Sequence, residues 1–272
     1  LGTFRGVRGP VRVTTGKHGS IAADDVVRTS VSNGRTSHWR PLRRLTASSG
    51  GLRLSLTLDG VRDMKLPPHV VARDTLRATE LPAWRALAAT AWRLLVSRHR
   101  AVAEEIASTL FVLTPLATSL PGHDSSLTFS DAFGCVAMSL PRSARHLALT
   151  LVHEVQHAKL SVLLDVVELV DSASPQRLRV AWREDLRPPV AVLHGAYAHL
   201  AVAAFWRRHD DLEARTEFIR WSSATRAALD ALSNAGVLTG SGRLFVAGMR
   251  EQLDSLTVLG DQCHTMDKKL SH

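Results

Sequence analysis

Two histidines four residues apart, His153 and His157, stand with Glu154 inside the run Leu149-Thr-Leu-Val-His-Glu-Val-Gln-His-Ala-Lys-Leu160, and no other feature limits the possible folds as much. The Ala, Leu and Val content around them extends from near Ser143 to about Leu169 and predicts one long helix buried on most sides, the hydrophobic axis of its domain. Residues four apart share a helix face, so the two imidazoles project from adjacent turns of one wall. Two imidazoles and a carboxylate buried together are costly unless a metal ion or a complete hydrogen-bond network holds them. A metal requires neutral imidazole nitrogens converging at about 2.0–2.1 Å. The pair therefore predicts a metal site, with a purely structural polar cluster as the alternative. Glu154, rotated by about 100° around the helix, can approach a metal-bound water or ligand instead. His-Glu-x-x-His is also the zinc-protease pattern, in which the glutamate is the general base.

The remaining chain predicts a mainly α, α+β fold: a helical metalloenzyme domain with a small N-terminal β element. Residues 1–75 read as a basic N-terminal arm with short strands, and residues 76–272 as the helical catalytic domain. The first 50 residues are rich in Gly, Arg, Ser and Thr, and short β-branched runs such as Val11-Arg-Val-Thr14 suggest small strands or an irregular arm. Leu52-Arg-Leu-Ser-Leu-Thr-Leu58 alternates as a strand with one wet face, expected either to pair with an extended peptide or to serve as a structural lid. Helices are expected from Leu81-Pro-Ala-Trp84 toward His99 and from Ala101 to Leu113. One or two short strands follow in Leu127–Leu140. Trp182-Arg-Glu-Asp-Leu-Arg-Pro-Pro189 reads as a loop before a very apolar helix at about Val190–Trp206, and two amphipathic helices cover roughly 210–235 and 244–260.

A third ligand must come from outside the His153/His157 pair. His194 leads the candidates because it opens a nearly all-apolar helix that must pack centrally, and Gly195 beside it would let that helix approach closely. His199, five residues on, is expected to turn away from His194; Asp165 and Asp185 are the carboxylate alternatives. Two histidines and one further ligand leave open positions for chemistry, and imidazole alone does not separate zinc from iron. Arg183 and Arg187, just before His194, offer planar forks suited to a carboxylate, unless they only pair with Glu184 and Asp185.

The balance of 34 Lys plus Arg against 25 Asp plus Glu gives a formal charge of +9, which favours acidic partners. A single Tyr leaves few stacking groups for bases, and the six Trp sit mostly in apolar segments and read as core, so nucleic acid is not expected. An acidic peptide suits the charge, as does a simple solubility role. Cys135 and Cys263 suggest no disulfide framework, so a reducing cytoplasm is the default. No run of about twenty uninterrupted apolar residues is present, and no membrane is expected.

With these motifs in view, the chain resembles a family beyond the zinc proteases. Phe133-Gly-Cys-Val-Ala-Met-Ser-Leu-Pro141, the His-Glu-Val-Gln-His block, Trp182-Arg-Glu-Asp-Leu-Arg-Pro188 and His194-Gly-Ala-Tyr-Ala198 look like the HExxH-type iron/2-oxoglutarate-dependent peptide β-hydroxylases. These enzymes often occur fused to, or encoded beside, radical S-adenosylmethionine maturases of ribosomally made peptides. The resemblance covers about residues 80–260 and departs from the family's usual Asp-Pro-Arg-Pro at Asp185-Leu-Arg-Pro188. It implies Fe(II) on His153, His157 and His194, and 2-oxoglutarate neutralised by Arg187 or Arg183. It further implies O2 as oxidant and a ribosomally synthesised precursor peptide as substrate, hydroxylated at a side-chain Cβ. Under this resemblance Glu154 becomes a hydrogen-bond acceptor near the metal, or a ligand. A zinc metallopeptidase using Glu154 as base, and a peptide-binding module with a vestigial site, are the competing expectations.

Overall fold

The computed structural model describes residues 39–58, 71, 76, 79–117, 125–129 and 132–269, together with strand residues 2–4, 13–15, 20–23 and 27–30; side chains are described between residues 42 and 257 within these ranges. Pro67-Pro68 and most of the loop read at 119–126 lie outside them. In the N-terminal part, β1 (Gly2–Phe4) pairs with β5 (Trp39–Pro41), while β2 (Val13–Thr15), β3 (Ser20–Ala23) and β4 (Val27–Ser30) form an antiparallel meander.

The alternating segment becomes half of a hairpin. β6 (Arg43–Ser49) and β7 (Leu52–Leu58) are joined by Gly50-Gly51, both at positive φ (50° and 80°), the conformation that a two-residue turn between twisted strands demands. Leu54, Leu56 and Leu58 are buried while Arg53 is exposed, so the expected alternation decides the face. The hairpin continues into a five-stranded sheet of order β6-β7-β8-β10-β9, with β8 (Val112–Pro115), β9 (Ser126–Thr128) and β10 (Cys135–Met138). β7–β8 and β8–β10 are parallel pairs and the others antiparallel. β7 is thus an interior strand, and both edges that a peptide could have used are taken by β6 and β8.

Helix α1 (Leu81–Arg98) places Pro82 in its first turn, where the missing N–H costs nothing, and buries Trp84, Ala88, Trp92 and Leu95 against this sheet. Trp92 Nε1 donates to the Leu52 carbonyl at 3.1 Å. The hairpin lies before residue 76 and α1 after it, yet they share one core. After His99, α2 (Arg100–Thr109) ends four residues earlier than the expected Leu113. Val112-Leu113-Thr114-Pro115 is instead the central strand β8, buried along most of its length, where β-branched side chains fit the pleat and Pro115 sits at the end without a ladder donor.

The long central helix is α3 (Ala144–Val166), opened by Ser143, whose hydroxyl accepts from the His146 backbone N–H at 3.2 Å. It stops three residues short of the expected Leu169, and Val170 pairs by a single bridge with Leu238. The stretch Trp182–Pro189, read as a loop, carries strand β12 (Arg183–Arg187), which forms a hairpin with β11 (Leu178–Val180), turning at Ala181-Trp182. α4 (Pro189–Arg207), α5 (Leu212–Asn234) and α6 (Gly240–Lys269) complete a helix-dominated α+β fold. Asp211 caps α5, accepting from the Ala214 N–H at 3.0 Å. α4 is long and apolar enough by length and composition to cross a bilayer, but 61% of its apolar window is buried inside the protein, so it serves as a core helix.

Candidate metal centre

The site grows from the face where α3 meets α4. His153 and His157 project from successive turns of α3 with their Nε2 atoms 3.0 Å apart and their rings edge-on, centroids 4.7 Å apart. Two nitrogens held about 2.0–2.1 Å from one ion stand roughly 2.8–3.4 Å apart at coordination angles from about 90° to tetrahedral, so the pair is spaced for one ion. Without a metal, the same contact is a hydrogen bond between neutral imidazoles, one donating and the other accepting. Burial pushes the His153 pKa down to about 4. Burial, then the neighbouring His153, does the same to His157, opposed by the Glu154 charge. Both rings are therefore held neutral at neutral pH, the state in which imidazole is a ligand. Both residues keep a small part of their surface exposed.

α4 brings two more imidazoles to the pair. The His194 ring lies 5.7 Å from that of His157, and the His199 ring 5.2 Å from that of His153. His199, expected to turn away from His194, contacts a different member of the pair, and its ring lies nearer to that member than the ring of His194 does to its own. His194 and His199 contact different members of the pair, because α4 packs along α3 for more than a turn and the two lie opposite different turns of it. Burial lowers the pKa of His194. His199 is held well below its ordinary value by burial and then by His153, His157 and Arg220. Among the described residues no three His, Cys, Asp or Glu side chains converge tightly enough to hold an ion as they stand. The His153–His157 contact is formed, without a third donor converging on it among the described residues. Neither carboxylate alternative is placed for this: Asp165 is exposed near the end of α3, and Asp185 is exposed and paired with arginines.

Glu154 is 1% exposed and faces the sheet. Its Oε2 accepts from the Thr128 hydroxyl on β9 at 2.5 Å, and the same hydroxyl lies 3.2 Å from the Glu154 carbonyl oxygen. Thr128 escaped sequence reasoning because nothing local to a three-residue strand signals a partner 26 positions away. Arg183 and Arg187 both lie on β12, binding Asp185 at 2.9 and 3.0 Å; their side chains are 55% and 37% exposed. These contacts hold Asp185 down to about 2, the Arg187 hydrogen bond contributing most.

Trp182 and Trp221, read from sequence as generic core, are the aromatic walls of the site. Trp221 stacks on His199 with centroids 4.1 Å apart, and Trp182 lies 4.4 Å from it at a tilt. Gly195 makes room for Trp182 rather than for a second helix: a Cβ there would come within 2.7 Å of the indole. The only sequence signal for this arrangement was a histidine inside an all-apolar helix, which needed neighbours able to cover it. No protein-family model matches the chain, and no curated protein matches it in sequence.

Proposed function

We propose that this chain is an Fe(II)/2-oxoglutarate-dependent hydroxylase acting on a side chain of a ribosomally synthesised peptide, working in a reducing cytoplasm beside or fused to a radical S-adenosylmethionine maturase. The single observation that carries the metal is the 3.0 Å approach of two neutral imidazole nitrogens from one helix. His153 and His157 would hold the ion and His194 would complete the set, leaving positions for co-substrate and oxygen. The bound iron would supply the oxidative chemistry that 2-oxoglutarate and O2 bring to an unactivated C–H bond. The chain's own residues bind and orient. Arg187, the less exposed of the two arginines, would exchange its Asp185 contact for the co-substrate carboxylate, with Arg183 free to retain Asp185. Glu154 would act through position, since its carboxylate is buried and committed to Thr128.

That commitment is what favours hydroxylation over the zinc-peptidase reading, in which the glutamate must face the attacking water. The test is incubation of Fe(II)-loaded protein with 2-oxoglutarate, oxygen and candidate precursor peptides. Succinate formation with a peptide mass gain of one oxygen atom, both lost in His153→Ala, is the expected result. Peptide cleavage by the zinc-loaded protein, abolished by Glu154→Gln while metal stays bound, would overturn it in favour of the peptidase.

A further inference from the structure

The joint between α1 and α2 lies against the joint between α4 and α5, and two buried histidines fill the contact. His99 is the one residue between α1 and α2, and His209 stands two residues past α4; they are 4% and 5% exposed. Their Nε2 atoms lie 3.2 Å apart. The flanking arginines clamp the two joints reciprocally, Arg98 Nη1 donating to the Arg208 carbonyl at 3.3 Å and Arg208 Nη1 to the Arg98 carbonyl at 2.6 Å. Arg98 Nη1 also reaches His209 Nδ1 at 3.4 Å.

A guanidinium only donates, so Arg98 fixes every proton in this row of contacts. His209 Nδ1 accepts from it, which puts the proton of neutral His209 on Nε2. That N–H donates to His99 Nε2, which puts the proton of His99 on Nδ1. A further proton then has two places to go. On His209 Nδ1 it faces Arg98, and on His99 Nε2 it faces the His209 N–H; either sets donor against donor. The surroundings oppose the added charge as well. Burial, then His209, Arg208 and Arg98, lower the pKa of His99; burial, then Arg145 and Arg98, lower that of His209 against the carboxylates of Asp211 and Asp210. Asp211 is itself held by Arg145 at 2.7 Å. The same three guanidiniums disfavour a metal cation here, although the two nitrogens are spaced much like those of His153 and His157.

We propose that this contact is an acid-released clasp: a proton taken up by either ring breaks the bond between the two imidazoles and frees the α4–α5 joint from the α1–α2 joint while the rest of the fold stands. Phe205 and Trp206, one turn before His209, stay in the apolar core shared with α1 and the sheet, which confines the release to the joint. The freed end belongs to the helix that carries His194 and His199.

The test uses the full chain, metal-free and labelled with 15N. Long-range 1H–15N spectra at pH 7 should show opposite tautomers, Nδ1–H for His99 and Nε2–H for His209. The His99, Arg208 and His209 amides each donate within their own joint. Between pH 6 and 4 their protection against exchange, corrected for the intrinsic rate, should fall by about tenfold per pH unit for the one proton, while the interiors of α1 and α4 stay protected. Arg98→Met, at an exposed position, frees His209 Nδ1 and should let both tautomers of each ring appear. Nδ1–H on His209 in the unaltered chain would overturn the proposal, as would unchanged tautomers in Arg98→Met. Loss of protection only together with the whole of α1 and α4 would do the same, as would Zn2+ binding by this pair at pH 7.

Discussion

Thr128 and Glu154 meet across the boundary between sheet and helix, and the consequence is local and measurable. Thr128→Val keeps the shape of the side chain but removes the hydroxyl, leaving a carboxylate with 1% exposure without that donor. The expected cost is about 1–3 kcal/mol of unfolding free energy in urea titrations of the metal-free protein. His99 gives a second prediction at this scale. It is buried, stacks on Phe205 at 4.5 Å, and approaches His209 with Nε2 atoms 3.2 Å apart. Burial, then the charges of His209, Arg208 and Arg98, push its pKa from 6.5 to about 3. The unfolded chain therefore takes up the proton first. The contribution of neutral His99 to stability is complete above pH 6.5 and is lost as pH falls from there toward 3, at roughly 1.4 kcal/mol per pH unit for this one proton. His99→Gln should reduce the slope of stability against pH by about that much between pH 6 and 4, as measured by urea midpoints across the range. An unchanged slope would show that His99 protonates without opposing the fold.

Among the elements, two glycines show how differently close approaches are enforced. At Gly242, in the first turn of α6, a Cβ would lie 1.8 Å from the Leu169 carbonyl oxygen, and a backbone atom cannot step aside. The Thr239 hydroxyl fixes this turn by accepting the Gly242 N–H at 3.0 Å. At Gly195 the obstacle is the Trp182 indole, which the hairpin turn can carry outward. Gly242→Ala should accordingly cost about 3 kcal/mol or more and Gly195→Ala about 1–3 kcal/mol, compared by thermal denaturation. Gly195→Ala should also perturb the Trp182 indole signal. The hairpin β11–β12 has two short strands and four charged residues in β12, so its stability comes from Trp182 anchoring the turn rather than from the strands themselves.

At the scale of the whole fold, the buried apolar side chains among the described residues form two principal clusters. One joins β6, β7, β8, β10 and α1 to the first half of α3 and the end of α4; the other joins the end of α3 and the start of α4 to α5 and α6. α3 and α4 run through both, and the histidine face lies where they cross from one to the other. The two clusters should therefore unfold together. Leu95→Ala in the first and Leu232→Ala in the second, both 0% exposed, should each cost about 2–5 kcal/mol. In each variant circular dichroism and tryptophan fluorescence should report one coincident, displaced transition. Separate transitions would mean that α3 and α4 do not couple the halves.

Local spacing alone determined the helices, the β7 alternation and the convergence of His153 with His157, because a period of 3.6 or 2 and an i, i+4 pair are fixed by backbone geometry within one element. Tertiary packing decided the rest. Val112–Pro115 became a strand because neighbours on both sides supplied its hydrogen bonds, and the stretch read as a loop from Trp182 paired because Trp182 found a seat on Gly195. Packing also set His199 beside His153, Thr128 under Glu154 and two indoles around one imidazole. Such contacts join residues tens of positions apart, and their partners are chosen by how helices and sheet stack, a property that no window of sequence contains.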